Sequence, residues 1–136
     1  MTFIKGVEDF RAYQDAYTLA LEVRLLTADM PKIEQFGGVA DQMRRASAGI
    51  CANLAEGFGK NQSKLELRRF VRMAMGSAYE MTFWTKFARD CKYLETSKAE
   101  DLLTKYDGVS RMLRGFEQSV SDSPTQHATR NTQHAA

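Results

Sequence analysis

No proline interrupts the chain between Pro31 and Pro124, and this constrains the fold more than any other feature of the sequence. Proline inside a helix removes a backbone hydrogen bond and clashes with the preceding turn, so a long proline-free segment leaves room for long helices. No run of alternating apolar and polar residues is long enough to indicate a strand. The sequence therefore predicts an all-α protein.

Apolar residues that recur every three or four positions predict four helices. The first covers about residues 9–30 and is capped by Asp9, the second covers 39–55, the third covers 63–91, and the fourth begins near residue 97. In the first helix the repeating residues are Phe10, Tyr13, Tyr17, Ala20 or Leu21, and Leu25, and in the second they are Val39, Met43, Ala46, Ile50 and Leu54. In the third helix they are Leu67, Phe70, Ala74, Ala78, Met81 and Ala88, and in the fourth they are Leu103, Tyr106, Val109 or Ser110, Leu113 and Phe116.

Local signals mark several helix ends. Ser63 with Glu66, and Ser97 with Glu100, have the Ser-x-x-Glu form of a capping box. The segment "EGFGKNQ" predicts the end of the second helix, because glycine favours a helix C-terminus. Its "GFGK" lacks the spacing of a phosphate-binding loop.

Four helices with short connections imply antiparallel neighbours in an up-down antiparallel four-helix bundle. We assign residues 1–120 to this bundle domain. Residues 121–136 are almost without apolar side chains, so we expect a disordered C-terminal tail.

Positive charge is concentrated at the centre of the chain. The net charge is only +2, yet residues 41–72 hold seven basic and three acidic residues. On the third helix, Lys64, Arg68 and Arg72 step by four along the side opposite the core pattern, and Lys60 and Arg69 extend this group. Such a line of donors suits a phosphate backbone. The alternative is an ordinary solvated helix face.

The same outer side of the third helix carries apolar residues further along, at Met75, Tyr79 and Phe83. An apolar surface outside the core requires a cover. Either the fourth helix or the N-terminal segment packs over it, or it forms a subunit interface.

Polar residues also occur within the apolar second helix. Buried charges persist only when they are paired, so we predict ion pairs between helices two and three, one at each end, that fix their register. The expected pairs join Glu56 to Arg69 or Arg72, and Arg44 or Arg45 to Glu80.

Nothing in the sequence identifies a catalytic reaction. The two histidines, His127 and His134, lie in the polar tail and predict no metal site, and no nucleophile accompanies a base. We therefore expect neither enzymatic activity nor a cofactor. Cys51 and Cys91 are too few for a disulfide framework and are expected to be reduced.

We expect a cytoplasmic protein. The N-terminus lacks the pattern of a secretion signal, and no apolar run approaches the ~18 residues that span a bilayer.

The order of motifs resembles one known family. "VADQMRRASAGICANLAEGFGK" followed by "ELRRFVRMAMGSAYEMTFW" is similar to the proteins of the 23S rRNA intervening sequence, also called the S23 ribosomal protein family. The matching residues are Pro31, Glu34, Phe36, Gly37, Gln42, Arg45, Ala46, Ile50, Asn53, Leu54, Ala55, Glu56, Gly57, Phe70, Ala74, Gly76, Ser77 and Glu80. Gly49 stands where the family usually has serine, which indicates close packing.

This resemblance implies a four-helix bundle that assembles as a ring-like homopentamer. It also implies a relation to accessory proteins of diversity-generating retroelements, which bind nucleic acid together with a reverse transcriptase. The leading hypothesis is a non-catalytic oligomer that binds RNA or another nucleic acid electrostatically, alone or with a nucleic-acid-processing protein and without a membrane. The alternative is a protein–protein interaction scaffold that does not bind nucleic acid.

Overall fold

The computed structural model describes residues 6–60 and 63–121, and it confirms the predicted all-α up-down antiparallel four-helix bundle. Its helices are α1 (Arg11–Thr27), α2 (Val39–Lys60), α3 (Lys64–Asp90) and α4 (Thr96–Ser121). Short 3-10 helices occur at Val7–Asp9 and Lys32–Glu34. The predicted tail lies outside the described residues from residue 122 onward. Every described helix is too short or too polar to span a lipid bilayer.

Each helix of the bundle packs against two neighbouring helices. α2 packs on α3, α3 packs on α4, and α1 packs on α2 and less extensively on α4, so α1 and α3 lie diagonally opposite each other. The rings of Phe10, Phe58 and Phe116 meet at one end, with centroids 4.7 to 5.7 Å apart. This cluster joins the start of α1 to the ends of α2 and α4, as antiparallel connections require.

The predicted core pattern is correct for α2 and largely correct for α3 and α4. Nearly all of those residues are buried, while Leu67, Leu103 and Phe116 are half-buried at the edge of the core.

For α1 the predicted core face is correct at its start, where Phe10 is buried and Tyr13 packs against the core, and wrong beyond these two residues. Its buried residues are Ala12, Ala16, Leu19, Val23 and Thr27. The large side chains of Tyr17, Leu21 and Leu25 are 51%, 52% and 76% exposed. α1 carries two parallel stripes, and the stripe with the smaller side chains faces the core.

The observed helix ends match the sequence prediction at the Ser63 cap, and they differ from it at Asp9, at Ser97 and at the end of α2. Ser63 caps α3, since its hydroxyl accepts a hydrogen bond from the Glu66 backbone N–H at 3.0 Å. Asp9 does not cap α1, because it lies in the preceding 3-10 helix and Phe10 occupies the N-cap position. Ser97 lies inside α4, which begins one residue earlier at Thr96.

The third difference is the end of α2, which continues through the predicted glycine terminus to Lys60. Gly57 is buried, and a Cβ added there would lie 2.7 Å from the Cβ of Phe70 on α3. Close packing of the two helices therefore outweighs the low helix propensity of glycine. Gly49 also marks close packing, as expected, because a Cβ there would lie 3.1 Å from the Ser77 hydroxyl.

The linker between α1 and α2 is held by hydrogen bonds. The Glu34 carboxylate accepts the Val39 N–H at 2.9 Å and the Tyr93 hydroxyl at 2.7 Å, so it caps α2 and ties the linker to the α3–α4 connection. The two bonds lower the pKa of Glu34. Gly37 adopts a φ of 79°, which favours glycine, and a Cβ at Gly38 would lie 2.6 Å from the Cα of Glu34.

Candidate nucleic-acid interface

The predicted basic residues lie together at the end of the bundle where α2 ends and α3 begins. Lys64, Arg68 and Arg72 occupy successive turns of the first half of α3. Lys60 is the last residue of α2, and its ammonium lies 5.2 Å from the ring centroid of Phe70. The two helices therefore contribute to one basic surface, which comprises Lys60, Lys64, Arg68, Arg69 and Arg72.

Two of these arginines share one carboxylate from α4. Arg68 donates through Nε to Glu117 Oε2 at 2.7 Å, and Arg72 donates through Nε to the same oxygen at 3.0 Å. The Glu117 side chain is only 12% exposed. The hydrogen bond from Arg68, reinforced by Arg72, lowers the pKa of Glu117, which stays ionised at neutral pH.

Glu117 is not among the site residues that the sequence predicts. Arg68 and Glu117 are 49 positions apart, so no local pattern links them. One available signal is that Glu117 lies four residues after Leu113, on the edge of the apolar stripe of α4. A carboxylate in that position is expected to need a partner.

The remaining members of the basic surface have weaker local partners. Arg69 contacts Glu66 at 3.4 Å and lies 5.4 Å from the centroid of the Phe70 ring. Lys60 contacts Glu56 at 3.5 Å. These side chains are largely exposed, and pairs of this kind are worth little and are screened by salt.

An open depression of about 500 Å³ lies along the outer side of α3 within this surface. It is lined by Leu65, Glu66, Arg68, Arg69, Arg72 and Met73. Leu65 and Met73 are 49% and 44% exposed. Guanidinium groups and aliphatic side chains therefore border the same space.

The predicted cross-helix ion pairs are wrong. Glu56 pairs with Lys60 on its own helix instead of with Arg69 or Arg72, because α2 extends one turn further than expected and brings Lys60 within reach. Its side chain is 53% exposed.

At the opposite end of the interface, Arg45 pairs with Asp41, and Glu80 accepts a hydrogen bond from the indole N–H of Trp84. Both partners lie four residues away on the same helix. Register between α2 and α3 is therefore fixed by close glycine packing rather than by those charges.

Arg44 has a structural role that differs from the predicted one. Its guanidinium donates to the Thr27 hydroxyl at 3.2 Å, to the Gln35 side-chain oxygen at 3.0 Å and to the Gln35 backbone carbonyl at 2.8 Å. Gln35 in turn donates to the carbonyls of Thr27 and Met30. Arg44 therefore joins α2 to the end of α1 and to the linker.

The predicted outer apolar residues of α3 have different surroundings. Met75 is half-buried and packs against the core. Tyr79 accepts a hydrogen bond from Arg114 of α4 at 2.8 Å, yet it remains 49% exposed, and Phe83 is 55% exposed. α4 thus covers only part of this surface.

The exposed apolar surface extends in two places that sequence reasoning missed. Phe83 lies against Trp84 and Phe87, with ring centroids 4.9 and 5.8 Å away. On the opposite side of the bundle, the exposed stripe of α1 adds Tyr17, Leu21 and Leu25. The helical spacing of these three residues is visible in the sequence, but spacing alone favours the core for them.

No constellation of metal ligands occurs within the described residues. Both cysteines are unpaired, and burial raises the pKa of the Cys51 thiol to about 11. The thiol is therefore protonated at neutral pH and a poor nucleophile.

Comparison with known proteins identifies the relatives of this bundle. A comparison with curated proteins found no match. A solved structure from Bacteroides thetaiotaomicron, a protein of unknown function from the S23 ribosomal protein family, matches with a TM-score of 0.71 and 16% sequence identity. The match covers 79% of this chain and 95% of that one and shows a shared fold. The model of the 23S rRNA-intervening sequence protein family matches residues 8–115, and the chain belongs to that family.

Proposed function

We propose that this protein is a non-catalytic, cytoplasmic homo-oligomer that binds RNA or another nucleic acid electrostatically through the basic surface. The observation that carries the proposal is the convergence of five basic side chains from α2 and α3 at one end of the bundle. Salt-screened contacts from such a surface supply most of the non-specific affinity for nucleic acid. The unpaired cysteines agree with a reducing compartment.

The charge of a single subunit limits its affinity. Glu56, Glu66 and Glu117 meet the five basic residues, so the cluster retains a net charge of about +2. Non-specific dissociation constants are typically ~10⁻⁴ to 10⁻⁶ M at physiological salt. Repetition of the surface in an oligomer would raise the affinity through multivalency, so assembly forms part of the proposal.

The positions of the exposed apolar residues support assembly. α1 exposes Tyr17, Leu21 and Leu25, α3 exposes Tyr79 and Phe83, and these two helices are diagonal in the bundle. Contact between the α3 face of one copy and the α1 face of the next would be heterologous, and such contacts close into rings when the rotation permits. The expected pentamer comes from the family resemblance.

Light scattering tests the assembly. The wild type is expected to be an oligomer at micromolar concentration, and Tyr79→Glu should weaken assembly more than folding because Tyr79 lies outside the core. A wild-type monomer would contradict this part of the proposal.

A protein–protein interaction scaffold is the second candidate. It is favoured by the contacts of Arg68 and Arg72, which both bind Glu117 within the subunit and are therefore partly committed to the bundle. In that case the exposed aromatic residues of α3 would bind another protein.

Charge reversal distinguishes the two candidates. Lys64→Glu with Arg69→Glu keeps Arg68 and Arg72, the two arginines that contact Glu117, and it should weaken RNA binding by roughly tenfold or more at low salt. Lys98→Glu with Arg111→Glu, on α4, is the matched control because it makes the same charge change elsewhere. Equal binding by both double variants and the wild type would favour the scaffold.

A further inference from the structure

We propose that the depression on α3 is a binding site for single-stranded nucleic acid, in which Arg68 and Arg72 hold a phosphate and Leu65 and Met73 contact a base. Glu117 is the positioning residue that orients the two guanidinium groups. This inference rests on the proposed nucleic-acid function and specifies its ligand.

The geometry at Glu117 leaves donors available for a ligand. Arginine has five N–H groups, one on Nε and four on the two terminal nitrogens. Both arginines contact Glu117 through Nε, and their side chains remain exposed to different extents, 61% for Arg72 and 23% for Arg68. One carboxylate oxygen thus fixes two guanidinium groups one helical turn apart while their terminal nitrogens stay outside that contact. Two fixed guanidinium groups suit the oxygens of one phosphate.

Glu117 is a permanent part of this arrangement rather than a competitor that phosphate would displace. Its side chain is largely buried, and its lowered pKa keeps it charged. Without this partner, Arg68 and Arg72 would be free to sample many rotamers. Preorganisation reduces the entropy lost when a ligand binds.

The aliphatic part of the depression favours single strands over duplexes. Leu65 and Met73 lie on the same side of α3 as Arg69 and border the same space as the arginines. In a duplex the bases are stacked inside, and the backbone offers mainly charge and polar groups. Single strands are commonly bound by unstacked bases that lie on aromatic side chains or guanidinium planes, and here the guanidinium groups and the aliphatic side chains of Leu65 and Met73 offer such a base a surface.

The depression is open along the outer side of α3, so a nucleotide would lie on its surface and would not be enclosed. The contacts offer no hydrogen-bond pattern specific to one base, so we expect tolerance of sequence.

The test compares a labelled oligouridine with an RNA duplex of equal phosphate number, by fluorescence anisotropy at low salt. The wild type should bind the single strand about fivefold more tightly or better. Leu65→Ser with Met73→Ser should remove this preference while duplex binding and its salt dependence persist. Ile33→Ser, which removes an exposed apolar side chain from the α1–α2 linker, is the control and should bind as the wild type does.

Glu117→Gln tests the positioning role, because the two explanations of Glu117 predict opposite changes in the affinity for single-stranded RNA. Removing a negative charge near phosphate should tighten binding if Glu117 only repels the ligand. If Glu117 orients the arginines, single-strand affinity should fall about fivefold while duplex affinity does not. Thermal unfolding and light scattering establish that each variant is folded and assembled as the wild type is.

The outcomes separate this inference from the broader proposal. Absence of salt-sensitive binding to either RNA would overturn both. Binding that is equal or tighter for the duplex, or a single-strand preference that survives Leu65→Ser with Met73→Ser, would overturn the single-strand site alone. Tighter single-strand binding by Glu117→Gln would overturn the positioning role.

Discussion

Replacing Gly57 by alanine should destabilise the bundle, although alanine is the better helix former. A Cβ at this position would lie 2.7 Å from Phe70 Cβ and 3.3 Å from Phe70 Cγ. The Cβ of Phe70 is attached directly to the backbone of α3, so a rotamer change cannot relieve the contact. α2 and α3 would have to move apart at this contact.

The magnitude follows from two opposing effects. Glycine to alanine within a helix gains about 1 kcal/mol of helix propensity. Overpacking of a core typically costs about 1–3 kcal/mol, and the contact here is at the short extreme. We therefore expect a net loss of about 1–2 kcal/mol for Gly57→Ala.

Gly115→Ala is the matched control. Gly115 lies within α4, and a Cβ there would have no neighbour within 4 Å among the described residues. This variant should gain up to about 1 kcal/mol. Because 1 kcal/mol corresponds to roughly 4 °C in a domain of this size, Gly57→Ala should have a Tm about 4–12 °C below that of Gly115→Ala.

Thermal unfolding followed by circular dichroism, at equal protein concentration, measures this difference. Equal Tm values for the two variants would mean that α2 and α3 do not approach as closely at Gly57 as the structure indicates. The explanation of the extended α2 helix would then fail.

Three further results are expected. Glu56→Ala should change the free energy of unfolding by no more than about 0.5 kcal/mol, because its contact with Lys60 is exposed. Arg44→Ala should cost about 2–3 kcal/mol in the same denaturant titration, since it leaves partners on α1 and the linker without their donor. The contribution of Glu117, whose pKa is lowered from about 4.5, should be complete above about pH 5 and fade as the pH falls further, so Glu117→Gln should flatten the stability profile in acid.

The buried face of a helix is predictable from the sequence when the helix carries a single stripe of apolar residues. α2 repeats Val39, Met43, Ala46, Ile50 and Leu54, and all five are buried. α1 has two possible stripes, and the size of the side chains favours the wrong one. Tyr17, Leu21 and Leu25 lie outside the core, whereas the smaller side chains of Ala12, Ala16 and Val23 lie in it with Leu19.

Only those residues of the candidate site that are close to each other in the sequence can be predicted from it. The four-residue spacing of Lys64, Arg68 and Arg72 is enough to place them on one side of α3, whatever the other helices do. Glu117 cannot be assigned to them from the sequence, because its position depends on the packing of α4. The end of α2 is missed for a related reason, since whether Gly57 ends a helix or fits beneath Phe70 depends on tertiary contacts.

The salt dependence of RNA binding by the wild-type protein tests the central claim most directly. If one basic surface neutralises three to five phosphates, the plot of log K against log salt between about 50 and 200 mM should be linear with a slope of about −2 to −3.5, and it should be steeper where several subunits engage one strand. An affinity that does not change with salt, or no binding at the lowest salt, would contradict electrostatic nucleic-acid binding and leave the scaffold as the better account.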